Sequence, residues 1–411
     1  MESKIVMVHI TTGATLSYSH GFAILAAILI KQGYKHDDIK LVTVKTNNFK
    51  SAADKILRLN PFIVLVTCTS NQWDNAKKLA SYIKQIDNSL PICVGGGHIT
   101  ALPESIYNSS FDIGVVGEAE SVISTIVNEA LISNMNSNKI LYKPEKTISM
   151  LDSLPLPYIQ LFDKVDILEY PSVMFSRGCP FKCSYCMSRK GGYSGKVRWK
   201  SPERAITEVI ELINYAQPKD IFIDDDTILK KPNWVIKFCE LYKNKINIPF
   251  CCNARPETIT RELVQCLREA NCQAIGIGIE SGSPRIRKDI LLRTMTDDTI
   301  IQAFNIVKSF GLRTWSFNMV GMPTETPEDF MATINLNELV QTDYVRISIF
   351  TPYPGTPIYN INKESLFDHG YFRPLTGLSL EFQEMYKKWI RQLSSEGRLW
   401  YTEAESGLIS R

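Results

Sequence analysis

Two series of short strand-like runs, the first of them almost uninterruptedly apolar, each alternating with amphipathic stretches, constrain this 411-residue chain more than any other feature. The first series occupies residues 4–10, 39–44, 62–68, 91–95 and 113–116. Runs that are apolar on both faces and rich in β-branched residues mark parallel strands covered by helices on both sides. Stretches such as 76–86 repeat with helical spacing between them. Five βα units before residue 140 therefore predict an α/β domain of the doubly wound, flavodoxin-like (Rossmann-like) kind. A second alternation starts at Pro171, with strand-like runs at 172–176, 220–224, 248–252, 273–279, 314–320 and 344–350. Helical stretches near 202–215, 233–244, 259–270, 297–310 and 327–340 separate them. Six such repeats predict an open, partial (β/α)6 TIM-like barrel with its chemistry at the carboxyl ends of the strands. The expected organisation is a first domain over 1–140, a linker over 141–170 carrying Pro144, Pro155 and Pro157, a barrel over 171–358, and a short helical C-terminal extension over 359–411. That extension carries one helix, near 381–393, and its aromatic residues are expected to cover the barrel or the substrate mouth.

The first barrel strand runs directly into Ser176-Arg177-Gly178-Cys179-Pro180-Phe181-Lys182-Cys183-Ser184-Tyr185-Cys186. Three thiols in one short loop are informative because of their number. A structural zinc site wants four ligands, yet the next cysteine is Cys239 and no histidine lies between residues 99 and 368. A disulfide framework does not suit ten cysteines placed mostly in apolar runs, as Cys68, Cys239 and Cys266 are. Three cysteines on a 4Fe-4S cube leave one iron open to a small molecule, which implies chemistry on a bound ligand.

In a doubly wound sheet ligands bind at the loops after the strands. Here these are 11–17 (with Thr15 and Ser17), Thr67-Cys68-Thr69-Ser70, Gly95-Gly96-Gly97-His98 and Gly117-Glu118-Ala119-Glu120. Glycines let backbone approach a large cofactor, and hydroxyls bond its amide or phosphate groups. A glycine triplet by itself is equally well explained as turn chemistry.

Net charge is only +3 and no block of Lys or Arg stands out, so nothing indicates a nucleic-acid partner. The N-terminus lacks the layout of a signal peptide, and the longest apolar run, 22–30, falls far short of the roughly 18 residues that span a bilayer. A cytoplasmic protein without a membrane span is expected.

The cysteine spacing, with Tyr185 before the last thiol, resembles the signature of the radical S-adenosylmethionine (SAM) superfamily. The whole chain resembles those members that carry an N-terminal cobalamin (B12)-binding domain. Beyond the cysteine loop the resemblance rests on Gly95-Gly96-Gly97-His98 followed by Pro103-Glu104, on Gly114-Val115-Val116-Gly117-Glu118-Ala119-Glu120, and on Val197-Arg198-Trp199-Lys200-Ser201-Pro202-Glu203. It continues through Asp224-Asp225-Asp226, Asn253-Ala254-Arg255-Pro256-Glu257, Gly276-Ile277-Gly278-Ile279-Glu280-Ser281-Gly282-Ser283, Val320-Gly321-Met322-Pro323 and Thr351-Pro352-Tyr353-Pro354-Gly355-Thr356-Pro357.

What the resemblance implies is a 4Fe-4S cluster on Cys179, Cys183 and Cys186, with SAM chelated at the open iron. SAM would be held by Tyr185, by Asp224 and Asp226 at its amino group, by Arg255 at its carboxylate, and by Glu280 and Ser281 at its ribose. The family commonly has Gly-Gly-Glu where this chain has three aspartates. Cobalamin would be held by Thr15, Ser17, Thr69, Gly95, Gly96, Gly97, His98 and Glu118. The DxHxxG motif that supplies a lower cobalt ligand in other methylcobalamin proteins is absent from residues 1–150. The implied activity is a cobalamin-dependent methyltransferase acting through a 5'-deoxyadenosyl radical on an unactivated carbon of a small or lipid-like metabolite. An external electron donor such as flavodoxin or ferredoxin would reduce the cluster. A radical enzyme that rearranges, dehydrates or cyclises its substrate is the nearest alternative, and a non-catalytic iron-sulfur or cobalamin binder is the alternative from another class.

Overall fold

The computed structural model describes residues 4–11, 18–44, 48–132, 139–144, 147–187, 196–361 and 378–402. These form two compact units. The first takes in residues up to 171 together with 187–200 and 211–217, and the second holds the remainder.

The first unit is built on a six-stranded sheet of β1 (Lys4–Ile10), β2 (Ile39–Val44), β3 (Pro61–Thr67), β4 (Ile92–Gly95), β5 (Ile113–Val115) and β6 (Ile140–Tyr142). The strands are all parallel, in the order β2-β1-β3-β4-β5-β6. β1 is flanked on both edges, and Ile5, Val6, Met7 and Val8 are fully buried, as its continuous apolar run requires. Helices α1 (His20–Lys31), α2 (Phe49–Leu57), α3 (Trp73–Ile86), the short α4 (Gly97–Ala101) and α5 (Ile123–Ile132) connect the strands. Ser19 caps α1 by accepting from the Phe22 N–H, and Asn48 does the same for α2 from Ser51. The strand order reverses between β1 and β3, and the carboxyl ends there are where a flavodoxin-like sheet takes its ligand.

Residues 140–142 pair with β5, so the sheet runs on into the segment read as a linker. Its continuation packs on the same unit. Leu151 and Leu154 join Ile24 of α1 in one apolar cluster, the Tyr158 N–H donates to Ala23 O at 2.9 Å, and Phe162 is 2 % exposed. A short helix, α6 (Lys164–Glu169), closes this segment.

The second unit carries a parallel sheet in simple sequential order. Its strands are β7 (Ser172–Val173), β8 (Ile221–Ile223), β9 (Phe250–Ala254), β10 (Cys272–Glu280), β11 (Arg313–Val320), β12 (Tyr344–Ile349) and β13 (Leu399–Thr402). Between them run α7 (Pro202–Ala216), α8 (Pro232–Lys245), α9 (Arg261–Glu269), α10 (Asp297–Ser309) and α11 (Pro327–Val340), followed by α12 (Leu380–Ser395). Six of the seven strands are those expected; β13 is an addition, pairing parallel with β12 from the C-terminal extension. The aromatic residues of α12 pack on the sheet: Trp389, Phe382 and Tyr386 cluster with Phe330, Val345 and Ile347.

The sheet is curled without being closed among the described residues. Neighbouring strands lie about 4.8 Å apart, so β8 and β11, three steps apart, would stand roughly 14 Å from each other in a flat sheet. The rings of Phe222 on β8 and Trp315 on β11 nevertheless meet at 6.1 Å. Those side chains therefore share a concave face. The opposite face is helix-covered, as Phe250 shows by packing on Phe238 and Tyr242 of α8.

Candidate active site

The cysteine loop leaves the carboxyl end of the β7 segment, as the barrel rule places it. Gly178, at φ +91°, supplies the left-handed turn that precedes Cys179. The loop is held from three sides. At its entry Asp225, 1 % exposed, accepts from the Phe175 N–H at 2.9 Å, from the Ser176 N–H at 2.5 Å and from the Ser176 hydroxyl. At its far end the Ser184 N–H donates to Leu291 O, and the Ile358 N–H donates to Ser184 O, each at 3.1 Å. In the middle Arg255, from the end of β9, donates from Nη1 to Cys183 Sγ at 3.0 Å and from Nη2 to Glu257 at 2.7 Å. Its guanidinium stacks 3.8 Å from the centre of the Phe181 ring.

The three thiols feel one another. Burial pushes the Cys179 thiol up to about 11; Asp226, Cys186 and Cys183 add to that, against a backbone hydrogen bond from Phe181. Among the described residues no three Cys, His, Asp or Glu side chains converge as a single ion would require. A four-iron cube is wider than one ion and holds its thiolates farther apart. The donor set fits such a cluster, and Arg255 keeps a buried Nε–H with no partner, available to an anionic group at this strand end.

Glu280 ends β10 at φ +68°, where the pairing with β11 shifts register. A non-glycine residue held in that region marks local strain of the kind that clusters at functional sites. Its carboxylate accepts from Arg293 Nη1 at 3.4 Å, and the same guanidinium donates to the Tyr185 hydroxyl at 3.2 Å and to Gly278 O at 2.6 Å. Burial first, and Glu280 second, raise the Tyr185 pKa well above its ordinary value. Ser281 is fully buried, and its Oγ accepts from the Ser283 N–H and faces Thr333 of α11.

The three consecutive aspartates divide by side. Asp225 is the latch just described. Asp226 is exposed and acts electrostatically on Cys179. Asp224 is raised to about 6, by burial first and by Asp226 second, while Arg346 opposes the rise. Sequence reading passed over Asp225, Phe181, Glu257, Arg293, Asn253 and Arg346. Strand alternation beyond β8 could have separated Asp225 from its neighbours, whereas nothing in the sequence around Arg293 pointed to its role.

In the first unit the loops after β3 and β4 lie backbone against backbone. Gly96 has φ +97°, and a Cβ there would sit 2.6 Å from Cys68 O, so only glycine fits. Gly95 and Gly97 have room for one. His98 is fully buried, with Nδ1 3.1 Å from Ser70 Oγ and its ring stacked on Trp73 at 4.4 Å. Burial, aided by Lys77, lowers its pKa to about 4, which keeps the ring neutral. Glu118 is engaged by Arg198, which donates to its two oxygens at 2.9 and 2.5 Å. Thr69 is exposed, and its N–H donates to Gln72 Oε1 at 2.9 Å. Thr15 and Ser17 lie outside the described residues.

A doubly wound unit with glycine-rich strand ends, and a curled βα unit with a three-cysteine loop at its first strand end, define a two-module α/β enzyme that works on bound cofactors. Residues 173–336 match the family model of the Radical SAM superfamily, and residues 8–127 match that of the B12 binding domain. An uncharacterized methyltransferase of Pyrococcus horikoshii is 31 % identical over 382 residues, covering 87 % of this chain and 80 % of its own. The hopanoid C-2 methylase of Rhodopseudomonas palustris is 24 % identical over 284 residues, 67 % of this chain and 52 % of that longer protein. The solved structure of TsrM, a radical S-adenosylmethionine methyltransferase from Kitasatospora setae with cobalamin and a [4Fe-4S] cluster bound, shares the fold at a TM-score of 0.76 and 13 % identity, covering 98 % of this chain and 92 % of its own. The chain belongs to the radical SAM superfamily, among the enzymes that carry a B12-binding domain ahead of the radical domain. The cofactors of that group are the 4Fe-4S cluster, SAM and cobalamin.

Among the described residues no helix is long and apolar enough to cross a membrane.

Proposed function

We propose that this enzyme transfers a methyl group to an unactivated carbon of a small or lipid-like metabolite in the cytoplasm, using electrons from an external donor such as flavodoxin or ferredoxin. The observation that carries the reading is the 31 % identity, over four-fifths of that protein's length, to an uncharacterized methyltransferase. When bound, the cluster supplies the electron that cleaves SAM to the hydrogen-abstracting radical, and cobalamin supplies the methyl group.

The chain's own residues hold and orient. Cys179, Cys183 and Cys186 are the cluster ligands, with the loop fixed at its entry by Asp225. Arg255 keeps the Cys183 sulfur in a hydrogen bond and offers its Nε–H to the SAM carboxylate. Asp226 receives the SAM amino group, and Glu280, aimed by Arg293, receives the ribose hydroxyls with Tyr185 beside it. The exposed Thr69 and Gly97, with the backbone of Gly95 and Gly96, form the corrinoid edge of residues 1–140.

The test is the ratio of products from SAM. Reduced, cluster-loaded and cobalamin-loaded enzyme, given SAM and a small-molecule cell extract, should release S-adenosylhomocysteine together with 5'-deoxyadenosine. Release of 5'-deoxyadenosine without S-adenosylhomocysteine would replace methyl transfer with a rearranging, dehydrating or cyclising reaction.

A further inference from the structure

The concave face of the second sheet has a chemistry of its own. Parallel register places Asn253, Gly276 and Trp315 side by side on β9, β10 and β11. A Cβ on Gly276 would lie 2.3 Å from the Trp315 indole and 2.5 Å from Asn253 Oδ1. The missing side chain is what lets indole and amide meet over β10. Trp315, 3 % exposed, and Phe222 close the floor. One register step nearer the cysteine loop, Phe317 pairs across to Arg346, whose guanidinium stands 5.6 Å from the Phe317 ring.

Three polar groups ring that floor. Asn253 Oδ1 is buried and accepts no hydrogen bond, a costly state that a ligand's N–H or O–H would relieve. Asp224, at the end of β8, is reached electrostatically by Arg346 although β12 lies four steps away in the sheet. The curl thus sets an anionic group and a cationic one across the same concave face. Asp226, on the other hand, belongs with the cysteine loop.

We propose that this concave face is the substrate pocket and selects a small zwitterion of the α-amino-acid type. The carboxylate sits at Arg346, the ammonium at Asp224 and Asn253 Oδ1, and a flat apolar body rests on Trp315 and Phe317. The inference deepens the methyl-transfer reading and rests on it only for what becomes of the bound molecule.

Equilibrium dialysis of the cluster-loaded full-length protein tests it with three probes: L-phenylalanine, 3-phenylpropanoate, which lacks the ammonium, and 2-phenylethylamine, which lacks the carboxylate. The zwitterion should bind roughly tenfold or more tightly than either one-ended analogue, the loss expected for one charge-assisted hydrogen bond. Arg346→Met should erase the preference over 2-phenylethylamine, and Asp224→Asn the preference over 3-phenylpropanoate, at unchanged iron content. The wild-type comparison stands even where a variant fails to fold. One-ended analogues that match the zwitterion, or a zwitterion that does not bind, would overturn the pocket. Selective binding without S-adenosylhomocysteine release keeps the pocket and removes methyl transfer; the converse result removes the pocket alone.

Discussion

Arg255 Nη1 donates to Cys183 Sγ at 3.0 Å, and the same side chain is locked by Glu257 on one edge and Phe181 on its face. A residue that resemblance assigns to the SAM carboxylate is thus in contact with a thiol proposed to ligate the cluster. Hydrogen bonds to ligating sulfurs raise the potential of an iron-sulfur cluster by stabilising its more negative, reduced form.

Arg255→Gln should therefore keep its iron and shift the cluster midpoint to more negative potential in an EPR-monitored redox titration. An unmoved midpoint with weakened SAM binding would leave Arg255 as a SAM ligand only.

The latch at Asp225 gives a stability prediction. Asp225→Ala leaves the Phe175 and Ser176 N–H groups buried without an acceptor, which should cost about 2–4 kcal/mol of unfolding free energy. The loss should appear in a denaturant titration and be accompanied by poor cluster retention. A variant as stable as wild type would show that another acceptor takes over.

The glycine triplet separates two causes. Gly96→Ala puts a Cβ against Cys68 O and should lower thermal stability with or without corrinoid. Gly97 has open space around its Cβ position, so Gly97→Val should leave the apoprotein's melting temperature in place and reduce corrinoid retention after growth with hydroxocobalamin. Full retention in Gly97→Val would move the corrinoid edge elsewhere.

His98 makes stability depend on pH. Its folded pKa, about 4, lies below the usual 6.5, so between those values the unfolded chain binds the extra proton. Its contribution is complete above pH 6.5 and is lost as pH falls toward 4. Chemical denaturation across that window should show a steeper loss for wild type than for His98→Gln, and parallel curves would contradict a buried neutral ring.

Most of this architecture was legible because buried parallel strands carry a redundant signal. β1 and β3 are nearly continuous apolar runs, and the cysteine loop follows its strand as the barrel rule requires. The segment at 141–170 was less legible, since prolines read as a linker although Leu151, Leu154 and Phe162 supply enough apolar surface to dock it. β13 is four residues long and pairs with a strand some fifty residues earlier, a contact no local pattern encodes. Residue types at strand ends pointed to the site as a whole. Which aspartate faces the thiols and which is buried follows from strand pleat and sheet curl, and motif matching does not carry that information.

In the proposed function Cys179, Cys183 and Cys186 hold a SAM-cleaving cluster. Anaerobic reconstitution should give about four irons per chain, with a reduced EPR signal that SAM perturbs and 5'-deoxyadenosine as a product. Replacing any one of the three with Ala should abolish SAM cleavage, whereas a Cys→Ala variant that still produces 5'-deoxyadenosine at the wild-type rate would contradict the assignment.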